Sequence, residues 1–277
     1  MNSRPSGDIL EYYFAHTLCL LKVKPSDEYT KEKLIWLLEK VDASDNTTLK
    51  SRINLLKKIS KFIQPLQVES FSLLKDTSGI RGDTTDIRLT TANGDINISL
   101  KRNNKSVKHQ RPSNLSAQLG TNDNYKLTYR ALNAKWYNEL QANEIFNNVP
   151  ADRKILMYRE FNKLYARHVN NNQQCRNTFT DFLLSNSIQN KYIVEWNSVK
   201  GTVHVYDCKA LNYPHTMWAM RVDDTNIMLE LFDTDDVPYV ALNLRLHNAS
   251  GRITKTLSIK YDTKILNMKN IYRNYDI

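Results

Sequence analysis

The chain of 277 residues is poor in the residues that make linkers and staples. Gly and Pro number only 7 each, which excludes a low-complexity or linker-rich chain. Its three cysteines, Cys19, Cys175 and Cys208, are widely spaced with no CxxC pair, so a thiolate zinc site is excluded and a reduced, cytoplasmic protein is expected. The six histidines show no HxH or HxxxH spacing, which leaves a histidine zinc site without support. No apolar run reaches the ~20 residues that a membrane span needs. Ile9–Leu21, the first such stretch, is interrupted by Glu11 and His16 and lacks a basic leader and cleavage site, so neither a signal peptide nor a membrane partner is expected. What the chain does have is positive charge. A formal net charge of +10 favours a polyanionic partner.

The most informative stretch runs from Gly82 to Gly120. Asn93-Gly94 lies between two alternating runs and is a strong signal for a two-residue hairpin turn. Counting outward from Ala92 and Asp95 sets Thr91 against Ile96, Leu89 against Ile98 and Ile87 against Leu100, all on one face. The polar face then pairs Thr90 with Asn97, Arg88 with Ser99 and Asp86 with Lys101. Directly opposed side chains have Cβ atoms ~5 Å apart, close enough for a carboxylate and an ammonium to share one water. A plain cross-strand ion pair has the same pattern. The segment that follows carries Arg102, Asn103, Asn104, Lys105, Lys108, His109 and Arg111, the cations and amides that a phosphate backbone attracts.

The remaining chain reads as helices, then strands. Ile9 to Leu21 has helical spacing, with Asp8 and Glu11 placed as a capping box. Lys31–Val41 and a helix capped by Thr48 follow, the latter with a basic outer face that includes Lys50, Lys57 and Lys58. Leu66–Leu74 reads as a strand. Helical patterns cover Tyr125–Phe146, Ala151–Val169 and Asn177–Leu184, with Asn170-Asn171-Asn172 as a loop. Strands are expected at Tyr192–Trp196, Thr202–Tyr206, Thr216–Val222 and Ile227–Phe232. A last hairpin sets Val240, Leu242, Leu244 and Leu246 on one face and then Ile253, Leu257 and Ile259 after a turn at Asn248–Gly251. Its polar face would offer Asn243, Arg245, His247 and Arg252, groups able to read base edges from a β-ribbon in the major groove.

Gly82-Asp83-x-x-Asp86, Ile98-Ser99-x-Lys101 and Val107-Lys108-His109-x-Arg111 together resemble the HaeIII-type type II restriction endonucleases of the PD-(D/E)xK nuclease superfamily. Leu244–Arg252 resembles their C-terminal recognition segment, and Leu-Glu-Tyr-Tyr-Phe at 10–14 their N-terminal opening. The resemblance implies a mixed α/β (α+β) fold, with a restriction-endonuclease-like core sheet flanked by helices and a C-terminal antiparallel strand region. It implies a single nuclease domain over 1–277, with helices at 1–64, the catalytic hairpin and basic loop at 66–120, a helical region at 121–190 and a strand-rich region at 191–277. It further implies Mg²⁺-dependent hydrolysis of double-stranded DNA to 5′-phosphate ends. Asp86, Ser99 and Lys101 would form the catalytic motif, and Asp86, the Leu100 carbonyl, Glu11 and Asp83 would surround the metal. Lys101 would position the attacking water. Ser99 departs from the family pattern, which has an acidic residue there. A homodimer for palindromic sites and a cognate DNA methyltransferase belong to the same expectation. Two alternatives share the charge: a non-catalytic basic DNA-binding protein, and a repair or RNA-processing nuclease on the same fold.

Overall fold

A computed structural model describes residues 5–45, 47–74, 85–102, 106–184, 190–207, 213–253, 255–268 and 272–273. The first part of the chain forms α1 (Pro5–Leu20), β1 (Lys24–Pro25), α2 (Glu28–Ser44), α3 (Leu49–Ile63), β2 (Val68–Leu73), β3 (Ile87–Thr91) and β4 (Gly94–Arg102). Next come β5 (Ser106–Gln110), α4 (Leu115–Leu119), α5 (Tyr125–Leu140), α6 (Ala151–Asn170) and α7 (Arg176–Leu184). The last part is β6 (Lys191–Asn197), β7 (Thr202–Asp207), β8 (Thr216–Arg221), β9 (Asn226–Phe232), β10 (Pro238–Asn248), β11 (Ile259–Met268) and β12 (Tyr272–Arg273). The fold is mixed α/β, with one mixed sheet and one antiparallel sheet. The chain, read above as a single domain, divides into two compact units. One comprises Met1–Lys105, Ser185–Leu211 and Ile271–Ile277, and the other Ser106–Leu184 and Asn212–Asn270.

The first unit is built on a seven-stranded sheet in the order β1-β2-β3-β4-β6-β7-β12. Strands β2, β3 and β4 are antiparallel neighbours, whereas β4 and β6 run parallel. Parallel neighbours need a long connection, and here the Ser106–Leu184 part of the second unit lies between β4 and β6. Leu10, Phe14 and Leu18, spaced four apart on α1, are fully buried against the sheet residues Phe71, Leu89, Ile98, Val194 and Val205 and against Ile59 and Phe62 of α3. Asp27 caps α2 by accepting from the Thr30 N–H at 2.7 Å, and Thr48 caps α3 as its sequence predicts. At α1 the expected capping box is corrected: the helix already begins at Pro5, and Asp8 pairs with Lys40 at 2.9 Å. Lys58, expected on a wet face, is buried and donates to the Gly201 carbonyl at 3.2 Å.

In the second unit five strands form an antiparallel sheet in the order β5-β11-β10-β9-β8. Leu242, Leu244 and Leu246 of β10 lie opposite Ile265, Thr263 and Tyr261 of β11 on the buried face. Tyr261 donates to Asn162 of α6 at 2.7 Å, Tyr165 of α6 to Gln110 at 2.7 Å, and Gln110 to Thr263 at 2.6 Å, so the polar atoms under α6 satisfy one another. Strand β8 is an edge strand. Asn170 gives one hydrogen bond to the Ala219 carbonyl (2.9 Å) and takes one from its N–H (2.7 Å), and Gln173 does the same at Met217 (2.6 and 3.0 Å). Two side-chain amides thus stand where a further strand would pair, which blunts the edge.

The last hairpin needs correction. Residues 249–258 connect the strands, and the partner of β10 is β11 at Ile259–Met268. The alternation of 253–259 was too short and interrupted to compete with the longer run that follows it. The helix expected over Tyr125–Phe146 likewise stops at Leu140.

Candidate active site

The hairpin at 87–102 forms, but its register is two residues away from the one expected. Ile87 pairs with Ile98, Leu89 with Ile96 and Thr91 with Gly94. Gly94 has φ +107°, and neither Ala92 nor Asn93 has a positive φ. The loop is therefore Ala92-Asn93 followed by a positive-φ glycine, the pattern of a three-residue turn with a bulge, in place of a two-residue turn centred on Asn93-Gly94. A two-residue shift keeps every side chain on its face, so Ile87, Leu89, Ile98 and Leu100 are still all buried.

The shift rearranges the site. Asp86 is not set across from Lys101. Its N–H donates to the Ile98 carbonyl at 2.8 Å, and its carboxylate accepts the Leu100 N–H at 2.6 Å with the Ser99 hydroxyl at 3.5 Å. Asp86 thus holds the end of β3 onto the middle of β4. Lys101, two residues beyond Ser99 and on the same face, is the register partner of Glu195 on β6. Glu195 is buried and accepts a hydrogen bond from Tyr206 at 3.0 Å, and His204 is its register partner on β7. Sequence reasoning missed Glu195. Its one signal is a carboxylate in the middle of the otherwise apolar Tyr-Ile-Val-Glu-Trp run.

Glu11 projects from α1 and is nearly enclosed. Burial pushes its carboxyl up to about 7, against the opposing pull of the Lys33 ammonium, and the charges of Asp86 and Asp8 add to the rise. Lys33 ties Glu11 to the chain by pairing with its carboxylate while donating to the Leu74 carbonyl at 2.9 Å. Leu74 in turn donates its N–H to the Asp86 carbonyl at 2.9 Å. Glu11 and Asp86 therefore belong to one electrostatic neighbourhood. Lys33 is a member that the sequence does not announce.

The cations after β4 divide into three groups. Asn103, Asn104 and Lys105, with Asp83, lie outside the described residues, and of Lys108 and His109 only the β5 backbone is described. Arg111 is exposed. Arg102 is bound within the protein: it donates to Thr47 at 3.1 Å, lies 3.9 Å from the Asp45 carboxylate and covers the Trp196 ring at 4.9 Å. Burial opposes ionisation of Asp45, but hydrogen bonds from Thr47 and Tyr13 outweigh it and hold the carboxyl below its usual range. Arg102 is therefore part of the framework.

In the second unit Asn243, Arg245 and His247 share the outer face of β10, as expected. Arg245 pairs with Asp262 at 3.2 Å, His247 lies 3.6 Å from the same carboxylate, and Asn243 donates to Asn226 at 3.0 Å. Arg252 does not join them. It sits in the connection after β10, bridged to Ile145.

Among the described residues no group of three His, Cys, Asp or Glu side chains is placed to hold a metal ion. Asp86, Glu11 and the Leu100 carbonyl are nevertheless hard oxygen donors, the class that Mg²⁺ takes. No helix among the described residues is long and apolar enough to cross a membrane. No protein-family model, curated protein or solved structure matches the chain.

Proposed function

We propose that this protein is a Mg²⁺-dependent endonuclease acting on double-stranded DNA, of the type II restriction class, on a PD-(D/E)xK-like core. The observation that carries the reading is the order β2-β3-β4-β6, with β4 antiparallel to β3 and parallel to β6. In that arrangement β4 carries Ser99-x-Lys101 beside an Asp86 carboxylate fixed by the Leu100 N–H. The electrostatic link between Asp86 and Glu11 on α1 supports it further, as does the net charge of +10.

In this reading Asp86, the Leu100 carbonyl and Glu11 would hold Mg²⁺, which when bound polarises a phosphate and lowers the pKa of its water. Lys101 orients the attacking water and offsets negative charge developing at phosphorus. The Leu100 N–H keeps the Asp86 carboxylate oriented. Lys33 pairs with Glu11 and would have to release it for Glu11 to serve as a ligand. Arg245, His247 and Asn243 offer base-reading groups. A two-fold dimer and a protective methyltransferase would accompany this function.

A second reading, a DNA-binding protein without catalysis, is favoured by Ser99 at the acidic position and by the absence of a three-ligand cluster among the described residues. One digest separates the two. Supercoiled plasmid with Mg²⁺ is cut, EDTA stops the cutting, and Lys101→Ala binds DNA without cutting it. Uncut plasmid over a range of Mg²⁺ and Mn²⁺ concentrations, with DNA binding retained, selects the binder. Discrete fragments from a long DNA select a restriction enzyme over a repair or RNA-processing nuclease.

A further inference from the structure

A cavity of about 480 Å³ lies entirely within the second unit, between α5, the residues entering α4 and the connection from β10 to β11. Four cations line it, Arg111, Arg130, Lys255 and Lys260, together with the rings of Tyr129 and Tyr137. No carboxylate is part of the lining, and among the described residues none of the four cations has an acidic partner within ion-pair distance. Elsewhere in the second unit Lys135, Arg153, Arg159, Arg221 and Arg245 are each paired with an acid.

The wall is built, not incidental. Asn133, buried on α5, donates to the Leu257 carbonyl at 3.0 Å and accepts the Leu257 N–H at 3.2 Å. This amide clasp pins the connecting segment to the helix, and Lys255 of that segment and Lys260 just beyond it line the same cavity as Arg130. Leu257, Ile259 and Tyr129 form a buried floor. Arg130, Asn133 and Tyr137 fall on one face of α5 by their three- and four-residue spacing.

We propose that this cavity binds a nucleoside phosphate, either free or as one unit of a single nucleic-acid strand. The cations would take the phosphate, and the half-buried Tyr137 would give the base a ring to stack on. Unpaired cations beside an aromatic face are the combination that strand-tracking grooves use, and the volume suits a ligand of nucleotide size. The inference does not depend on the nuclease reading, since it needs no metal and shares only Arg111 with the residues expected there to contact DNA.

The test is carried out on the full chain in EDTA, which separates it from cleavage. Adenosine 5′-monophosphate, thymidine 5′-monophosphate, adenosine, inorganic phosphate and a fluorescein-labelled eight-nucleotide thymidine strand are titrated by calorimetry or anisotropy. The mononucleotides are expected to bind at least tenfold more tightly than phosphate or adenosine. Tighter binding of the oligonucleotide identifies a strand as the source, and equal binding a free nucleotide. Arg130→Gln, at an exposed position, should weaken binding at least fivefold, and Tyr137→Ala should bring the mononucleotide affinity down to that of phosphate. Lys57→Gln, which removes an equal charge from the first unit, is the control. Equal losses in Arg130→Gln and Lys57→Gln mean general charge attraction and overturn the proposal, as does a mononucleotide that binds no better than phosphate. Circular dichroism of each variant distinguishes lost binding from lost fold, and the Arg130→Lys variant should recover most of the affinity.

Discussion

The Asp86 carboxylate accepts the backbone N–H of Leu100 at 2.6 Å, so the residue proposed to bind the metal also holds two strands together. A carboxylate in this position has a structural and a chemical role that substitution can separate. Asp86→Asn keeps an oxygen for Leu100 and removes the charge, whereas Asp86→Ala leaves the N–H without its acceptor. Asp86→Ala should cost about 1–3 kcal/mol by urea unfolding. Asp86→Asn should cost well under that while abolishing Mg²⁺-dependent plasmid cleavage. Equal stability of the two variants would mean that the hydrogen bond contributes nothing.

Glu11 gives a pH signature. Its folded-state carboxyl is raised to about 7 from an ordinary 4.5, chiefly by burial. Between those values the folded protein holds a proton that the unfolded chain has released. Stability should therefore fall as pH rises through that window. Glu11→Gln should flatten this part of the profile, read as the urea midpoint at pH 5 and pH 8, and an unchanged slope would assign the pH dependence elsewhere.

Ser99 tests the metal directly. It is buried with its hydroxyl 3.5 Å from Asp86. Ser99→Asp places a second carboxylate there, which like-charge repulsion should make destabilising in EDTA. If the site takes Mg²⁺, millimolar Mg²⁺ should restore several degrees of Tm to Ser99→Asp and do less for the parent protein. Loss of Tm that Mg²⁺ leaves untouched would argue against a cation at this end of β4.

Gly94 sets the register through its backbone. A Cβ at Gly94 meets nothing within 4 Å, yet φ is +107°. Gly94→Ala should thus destabilise by about 1 kcal/mol through conformation alone. A loss of comparable size in Gly94→Asn is not expected, because asparagine tolerates positive φ better than alanine.

The amide cover of β8 predicts an edge effect. Asn170→Ala removes both bonds to Ala219 and should cost about 1–3 kcal/mol. Because it also exposes an unpaired strand edge, it should raise the fraction of higher oligomers in light scattering. Asn170→Asp, which can still accept from the Ala219 N–H, should retain part of the stability.

Several of these features were legible along the chain because they depend on local periodicity. Leu10, Phe14 and Leu18 announce a helix face, Thr48 a helix start, and Leu242, Leu244 and Leu246 a strand with one buried side. The alternation around Asn93-Gly94 was enough to predict a hairpin and the correct inward face. It could not fix the register, since the pattern repeats every two residues and a two-residue shift leaves it intact. The turn geometry at Gly94 decided that, and with it whether Asp86 meets Lys101 or Leu100.

The sequence by itself determined the net charge, the mixed α/β composition and the inward faces of α1, of the β3–β4 hairpin and of β10, all of which follow from residue type and spacing. Only the tertiary structure decided which side chains meet. Lys33 reaches Glu11 from 22 residues away, Lys101 lines up with Glu195 across the long connection that holds the Ser106–Leu184 part of the second unit, and Asn133 fastens Leu257 from 124 residues away. Such contacts are set by strand order and helix packing, which couple distant segments through burial and hydrogen bonding rather than through any local pattern that a single stretch of chain could carry.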